Sequence, residues 1–206
     1  MAKKLKLGIY GGTFSPPHLA HVNAAESFYN AVCPDKLLII PDYLPPHKQI
    51  DGLVTAEDRL EMCKLAFGHI KNVEVSDMEI RRGGRSYTYE TLEALYSTDT
   101  DLFLLCGTDM FLTLDEWRNP ERIFELSTIA YVRRESDTKI SDEIVEKTRF
   151  YKQKFNAKII EVPIEAVELS SSLVRDALKF SKNTQQLLPK EVNKYIEERG
   201  LYRDNG

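Results

Sequence analysis

Two histidines lie three positions apart, directly after a glycine-rich turn, and together they offer the chemistry of anion binding. The segment reads Gly11-Gly12-Thr13-Phe14-Ser15-Pro16-Pro17-His18-Leu19-Ala20-His21. Glycines let the backbone turn sharply and approach a ligand closely. We expect Ser15 to cap a helix that Pro16 opens, so that His18 and His21 share a face of its first turns. Free N–H groups at a helix start, the positive end of the helix dipole and two imidazoles predict a phosphate site.

A second pattern suited to anions lies late in the chain. Three serines, Ser170, Ser171 and Ser172, precede a predicted helix whose second turn carries Arg175. Helix capping alone would account for the serines, but hydroxyl donors, free N–H groups and a guanidinium in one turn also match a polyphosphate. If the two patterns converge in space, they predict one site that holds a triphosphate.

Three further features could complete such a site, and each has a plainer alternative. The proline-rich segment that ends in His47 and Lys48 could order on a phosphate or could be a rigid surface loop. Asp109 follows an apolar run and could accept hydrogen bonds from a ribose or cap a helix. Trp117, the only tryptophan, could belong to the core or could present its flat face to a heteroaromatic ring.

Several functional classes are disfavoured by composition and motifs. The chain lacks the GxGxxG fingerprint of dinucleotide-binding dehydrogenases, and no nearby Cys or His supplies a third zinc ligand beside the histidine pair. A net charge of −4 predicts neither a nucleic-acid partner nor an anionic membrane surface. No apolar run approaches the roughly 20 residues of a membrane span, and the start predicts a strand instead of a signal peptide. The scattered cysteines Cys33, Cys63 and Cys106 predict buried thiols in a reducing cytoplasm.

Apolar runs alternate with amphipathic segments along the 206 residues, which predicts the fold class. We expect strands at 5–10, 36–40, 73–75, 102–106, 128–132 and 158–162. We expect helices at 19–31 and 141–155, and others that begin at Thr55, at Thr88, at Asn119-Pro120 and at Pro189, the last ending at Gly200. Continuous apolar strands alternating with helices indicate an α/β fold, a doubly wound parallel sheet with helices on both faces. Such sheets bind ligands at the carboxyl ends of their strands, where the motifs above fall.

The chain resembles the bacterial nicotinate-nucleotide adenylyltransferases, of the nucleotidyltransferase superfamily that carries an HxGH-type motif. The resemblance covers nearly the whole chain. It rests on Gly11 to His21, the PPHK loop ending at Lys48, Ser86-Tyr87-Thr88, Gly107 to Trp117, Ser170 to Arg175, and the C-terminal segment from Leu188-Pro189 to Leu201-Tyr202. It implies a Rossmann-like fold in a single nucleotidyltransferase domain over 1–206, with a small C-terminal helical extension from about residue 169.

The resemblance also implies a reaction and a set of site residues. ATP and nicotinate mononucleotide would give the deamido dinucleotide and pyrophosphate in NAD synthesis, with Mg²⁺ on the phosphates. It places on the ATP phosphates the catalytic group His18, His21 and Arg175, together with Ser171 and Ser172. It assigns Gly11, Gly12, Thr13, Phe14 and Asp109 to the rest of the ATP site. It assigns Lys48, Tyr87, Thr88 and Trp117 to the second substrate, with Trp117 stacked on the pyridine ring. We expect His18 to donate to the α-phosphate.

Two alternatives remain open at this point. A related enzyme could act on nicotinamide mononucleotide or on phosphopantetheine, although the PPHK loop and Trp117 disfavour the latter. A sensor on the same fold could bind the nucleotide without turnover, although His18, His21 and Arg175 are all present. A homodimer is a further possibility that the sequence leaves open.

Overall fold

Six strands form one parallel sheet in the part of the chain that the computed structural model describes, residues 3–45, 54–133, 138–164, 169–180 and 182–203. The strands are β1 (Leu5–Gly12), β2 (Lys36–Pro41), β3 (Val73–Val75), β4 (Thr100–Gly107), β5 (Ser127–Val132) and β6 (Ile159–Val162). Their order across the sheet is β3-β2-β1-β4-β5-β6, with every neighbouring pair parallel. The predicted α/β class and parallel sheet are therefore confirmed.

Helices connect the strands and cover the sheet. They are α1 (Leu19–Val32), α2 (Ala56–Phe67), α3 (Met78–Arg82), α4 (Thr88–Leu95), α5 (Thr108–Leu112), α6 (Pro120–Leu126), α7 (Thr138–Phe155), α8 (Ser171–Lys179) and α9 (Lys190–Arg199), with a 3₁₀ turn at Leu114–Glu116. No helix in the described ranges is both long and apolar enough to cross a membrane.

Two hydrophobic cores form because successive strand residues point to opposite faces of the sheet. In β2, Leu37 and Ile39 join the core under α1, α2, α8 and α9, whereas Leu38 and Ile40 join the core under α4, α6 and α7. All four side chains are buried, which accounts for the continuous apolar run in the sequence. The C-terminal helices share the first core with α1 and α2, while the single-domain organisation over 1–206 stays a prediction.

The direction in which successive strands are added to the sheet reverses between β1 and β4, and this change in strand order positions the site. The chain builds outward from β1 through β2 to β3 and then returns to β4, which pairs with β1 on its other side. The carboxyl ends at Gly12 and Gly107 therefore lie next to each other. Ligands of doubly wound sheets bind at this kind of reversal.

Two helix starts follow their local sequence signals to different degrees. Thr55 caps α2 as expected, because its hydroxyl accepts from the Asp58 N–H at 3.0 Å. Thr88 was expected to cap α4 but is its first helical residue, after Tyr87, whose side chain makes no capping bond.

The prediction of three buried thiols is also wrong in part. Cys63 and Cys106 are buried, but Cys33 is exposed. It ends α1 in a left-handed conformation with φ of 49°. The cap position holds it at the surface, outside the apolar face of the helix.

A buried carboxylate fastens the last helix to α2. Asp58 is 5% exposed and accepts hydrogen bonds from the Tyr195 hydroxyl at 2.9 Å and from Arg199 at 3.2 Å. Thr55 donates to its other oxygen at 2.8 Å. Burial raises the pKa of Asp58, but the hydrogen bonds from Thr55, Tyr195 and Arg199 together outweigh it and hold the pKa below its ordinary value.

This geometry predicts an acid-sensitive contribution to stability. A carboxyl whose pKa is lowered by folding stabilises the native state above its unfolded pKa of about 3.9 and loses that contribution as the pH falls through the folded value. Asp58→Asn is therefore expected to lower the free energy of unfolding at pH 7, with a deficit that shrinks towards pH 3. Urea unfolding of both proteins across this range measures it, with the exposed neighbour Glu57→Gln as the control. A deficit that stays constant with pH would contradict the assignment.

Candidate active site

One cleft of about 620 Å³ opens at the carboxyl ends of β1 and β4 and gathers the predicted site residues that the structure describes. Its lining includes the glycine turn and the histidine pair on one side and the serine motif with Arg175 beside them. Farther along, it includes Tyr87, Thr88, Asp109 and Trp117. Lys48 lies outside the described residues, so its expected place in the site is not tested.

The turn after β1 holds an unusual backbone conformation. Phe14 has a φ of 47°, in the left-handed region that bulky residues rarely occupy, and its side chain is 2% exposed. Its ring makes edge contacts with Tyr10, His21 and Phe67 at centroid distances of 5.3, 5.1 and 5.6 Å. The aromatic packing thus holds the turn in a conformation that exposes its backbone to the cleft.

The helix after this turn begins later than expected. Ser15 and Pro16 were predicted to cap and open it, but α1 starts at Leu19 and His18 is the capping residue, with φ of −131° and ψ of 172°. Pro17 disfavours helical geometry at Pro16, which delays the start. As a result His18 and His21 occupy the cap and third positions of α1.

The two histidines are stacked in a defined order. Their ring centroids are 3.7 Å apart with 21° between the planes. The His18 N–H donates to Nδ1 of His21 at 3.2 Å, which requires a lone pair on that nitrogen. The proton of a neutral His21 ring is therefore on Nε2, where it can be donated to a ligand. His18 is 1% exposed, whereas His21 is partly exposed in the cleft.

The serine–arginine motif contacts the histidine turn directly. The Ser171 hydroxyl donates to the carbonyl of Pro16 at 3.1 Å, and Arg175 Nη1 donates to the carbonyl of Ser15 at 2.8 Å. Arg175 Nη2 also donates to the Ser172 hydroxyl at 3.1 Å. Ser170 caps α8 by accepting from the Leu173 N–H at 3.2 Å. These contacts join residues 155 and 160 positions apart in sequence, so the two motifs form one wall of the cleft.

Tyr202, in the C-terminal segment, completes this wall. The spacing of residues in the sequence does not by itself predict this role. The hydroxyls of Tyr202 and Ser15 lie 3.1 Å apart, and Tyr202 lines the cleft. Burial raises the pKa of Tyr202, so its hydroxyl keeps its proton. Ser15 is thus held through its carbonyl by Arg175 and through its side chain by Tyr202.

A buried ion pair that the sequence analysis missed supports the floor of the cleft. Arg59 is 1% exposed and its Nη1 donates to Asp42 Oδ1 at 2.9 Å and to the Thr13 carbonyl at 2.8 Å. Its Nη2 donates to the carbonyls of Asp42 and Tyr43 at 2.7 and 3.1 Å. The Thr13 hydroxyl donates to Asp42 Oδ2 at 2.8 Å. One guanidinium from α2 therefore joins the loops that follow β1 and β2.

A second missed carboxyl lies behind the Ser86–Thr88 segment. Glu79 is 7% exposed, lines the cleft and accepts from the Thr91 hydroxyl at 2.5 Å. Burial raises the pKa of Glu79, against the opposing effect of hydrogen bonds from Thr91 and Ser86. Ser86 in turn accepts from the Tyr43 N–H at 2.9 Å. This network continues the support of the cleft from the glycine turn to the start of α4.

The described residues contain no group of three His, Cys, Asp or Glu side chains placed to hold a metal ion. Asp109 is exposed at the start of α5, and Cys106 beside it is buried. At the end of the cleft near α1 and α8, the lining includes the Arg175 guanidinium, the two histidine rings and the hydroxyls of Ser171 and Ser172. These groups suit an anion and a cation bound to it.

Comparison with known proteins places this geometry in context. A model of the cytidylyltransferase-like family matches residues 9–177. A protein described as a probable nicotinate-nucleotide adenylyltransferase, from Desulfatibacillum aliphaticivorans, is 34% identical over 215 residues, covering 96% of this chain and 100% of that protein. One with the same description from Staphylococcus haemolyticus is 32% identical over 206 residues, covering 99% and 100%.

A solved structure supports the fold. Plasmodium falciparum nicotinic acid mononucleotide adenylyltransferase, complexed with NaAD, matches this structure with a TM-score of 0.74 over 96% of this chain and 97% of that chain. The two sequences are 16% identical, so the likeness concerns the arrangement of the sheet and helices alone. It agrees with the Rossmann-like architecture expected from the sequence.

Proposed function

This chain belongs to the nicotinate-nucleotide adenylyltransferases of the cytidylyltransferase-like family, and we propose that it transfers the adenylyl group of ATP to nicotinate mononucleotide. The products are nicotinate adenine dinucleotide and pyrophosphate. The observation that carries the proposal is the contact between the two anion-binding motifs. Ser171 and Arg175 reach the carbonyls of Pro16 and Ser15 at 3.1 and 2.8 Å, so donors from both motifs line the same end of one cleft.

The reaction needs alignment and charge stabilisation more than a strong base. The attacking group is a phosphate oxygen of the mononucleotide, which is already anionic at neutral pH. It forms a bond to the α-phosphorus of ATP while the bond from that phosphorus to the bridging oxygen breaks, and pyrophosphate leaves with the electron pair. Holding two anionic groups in line and stabilising the charge that develops between them are the enzyme's contributions.

We assign the donors at this end of the cleft from their accessibility. His21 offers an Nε2 proton to a non-bridging oxygen of the α-phosphate, because its Nδ1 is occupied by the His18 N–H and its ring is the more exposed of the two. That His18 itself donates to the α-phosphate stays a prediction. In the structure its buried ring stacks against the ring of His21, and we propose that this contact orients His21. Ser171, Ser172 and Arg175, at the start of α8, bind the leaving pyrophosphate.

The other end of the cleft takes the mononucleotide. Trp117 offers its ring to the pyridine, and the backbone around Thr88 at the start of α4 offers N–H groups to a carboxylate. Asp109, which is exposed at the start of α5 and lines the cleft, accepts hydrogen bonds from a ribose. Tyr87 lines the same side of the cavity. Lys48, which lies outside the described residues, is proposed to bind the same substrate.

Mg²⁺ is expected to enter with the triphosphate. Because the described residues provide no cluster of metal ligands, its ligands would be phosphate oxygens and water. The ion supplies positive charge that reduces repulsion between the two nucleotides. The protein's own contribution at this point is the set of donors on α1 and α8.

The proposed function is tested by incubating purified protein with ATP, Mg²⁺ and nicotinate mononucleotide and separating the products. Equal amounts of nicotinate adenine dinucleotide and pyrophosphate are expected, with a lower kcat/KM for nicotinamide mononucleotide. Nucleotide binding without any product would favour a sensor. Pyrophosphate release with phosphopantetheine alone would favour the related transferase.

Trp117→Ala is expected to weaken binding of the mononucleotide about tenfold, because stacking of a base on an aromatic ring contributes about 1–3 kcal/mol. The KM for nicotinate mononucleotide should rise while the KM for ATP changes little. As the only tryptophan, Trp117 also reports binding in the unmodified protein through its fluorescence. Tyr96→Ala, at an exposed aromatic on the same chain, is the control. An unchanged KM for the mononucleotide would remove Trp117 from the site.

A further inference from the structure

A second positive charge lies at the end of the cleft away from the histidines. Arg118 follows Trp117 and lines the same cavity as Tyr87 and Thr88. Arg175, at the other end, is held by Ser15 and Ser172. By contrast, no hydrogen bond or ion pair joins the Arg118 side chain to any other residue in the described ranges, and the side chain is exposed.

The surroundings of Arg118 contain competing charges but no fixed partner. A hydrogen bond to Glu90 raises the pKa of Tyr89, and the positive charge of Arg118 opposes that increase. Arg118 is therefore close enough to interact electrostatically with Tyr89, in the first turn of α4. Glu90 is already engaged by the Tyr89 hydroxyl at 3.1 Å. Glu116 also lines the cleft, one position before Trp117. The guanidinium is therefore available to an anion that enters beside Trp117.

The proposed reaction restricts what that anion can be. The phosphate of the mononucleotide must reach the α-phosphate of ATP, so it lies at the histidine end of the cleft. The pyridine ring then lies at the Trp117 end, and the group that differs between the acid and the amide nucleotide is carried by that ring. An ionised carboxylate forms a charge-assisted pair with a guanidinium, whereas an uncharged amide gains no such pair.

We propose that the Arg118 guanidinium binds the carboxylate of the pyridine nucleotide and thereby selects the acid substrate over the amide. This inference rests on the proposed function and adds a specificity-determining side chain to it. Arg118 contributes charge, while Trp117 contributes a stacking surface that both nucleotides can use equally. Selection should therefore depend on the charge at position 118 and weaken as salt is added.

The test compares Arg118→Gln, Arg118→Lys and the control Arg81→Gln, which changes an exposed arginine paired with Asp77 outside the cleft. Two readouts are used: kcat/KM for each mononucleotide at saturating ATP, and the affinity of each mononucleotide from Trp117 fluorescence. For Arg118→Gln we expect the acid-to-amide ratio to fall about tenfold in both, equivalent to about 1.4 kcal/mol. Arg118→Lys should retain part of the preference for the acid nucleotide, and Arg81→Gln should retain all of it.

Three results would overturn the assignment: an unchanged ratio in Arg118→Gln, an equal loss with both nucleotides, or a rise confined to the KM for ATP. The fluorescence measurement separates this inference from the proposed function. Absence of dinucleotide in the unmodified protein would contradict the function, while the binding ratio would still decide the role of Arg118.

Discussion

Replacing His21 with alanine is expected to lower kcat by about 10²–10³, which corresponds to about 2.7–4 kcal/mol of transition-state stabilisation. The side chain is the accessible member of the stacked pair, and its Nδ1 accepts from the His18 N–H at 3.2 Å. The Nε2 proton is therefore oriented before substrate arrives. A donor that needs no reorganisation during the reaction contributes mainly to kcat, so the KM for either substrate should change much less.

Two further variants make this prediction specific. His21→Gln places an amide N–H near the position of Nε2–H and should recover part of the lost rate. His18→Ala should also reduce kcat, because His21 loses the ring against which it stacks at 3.7 Å. Melting curves and circular dichroism establish that each variant is folded. A folded His21→Ala enzyme with near-normal kcat would remove this residue from the reaction.

Breaking the buried ion pair beneath the cleft should have the largest effect on stability. Arg59→Met is expected to lower the free energy of unfolding by about 3–5 kcal/mol, because it leaves the Asp42 carboxylate buried without its cation. Asp42 is 7% exposed, and the same guanidinium supports the carbonyls of Thr13 and Tyr43. The total free energy of unfolding of natural domains is about 5–15 kcal/mol, so this loss alone brings the protein close to unfolding.

A double-mutant cycle distinguishes the uncompensated charge from simple loss of packing. Asp42→Asn in the Arg59→Met background removes the charge while keeping a group that can accept from Thr13, so it should restore a substantial part of the lost stability. Urea unfolding of the four proteins gives the coupling energy between the two positions. Additive effects would show that the ion pair is not the source of the loss.

The strands and the approximate position of the site could be predicted because their signals are local. β2 and β4 are short apolar runs that end at Pro41 and Gly107, and the motif residues follow the ends of β1, β4 and β6. In a parallel sheet these ends lie on one edge, so motifs far apart in sequence could be placed together. The contact between Arg175 and Ser15 confirms this convergence.

The parts that sequence reasoning missed depend on long-range contacts. The contacts of Ser15 with Arg175 and Tyr202 join residues far apart in sequence, so no local pattern predicts them. Arg59 appears in the sequence as an ordinary charged helix residue, and its partner Asp42 as a loop carboxylate. One signal was available: Arg59 lies three and four positions before the buried Met62 and Cys63, on the apolar face of α2. A charge on such a face implies a buried partner.

Isotopic labelling of the phosphorus atoms of ATP, followed during turnover with nicotinate mononucleotide, tests the proposed reaction most directly. ATP labelled at the α-phosphate should deliver its label to the dinucleotide, and ATP labelled at the γ-phosphate should deliver it to pyrophosphate. This is the result required if the histidine and serine–arginine motifs hold a triphosphate for attack at its first phosphorus. Label from the γ-position in the nucleotide product, with release of ADP, would contradict attack at the α-phosphorus.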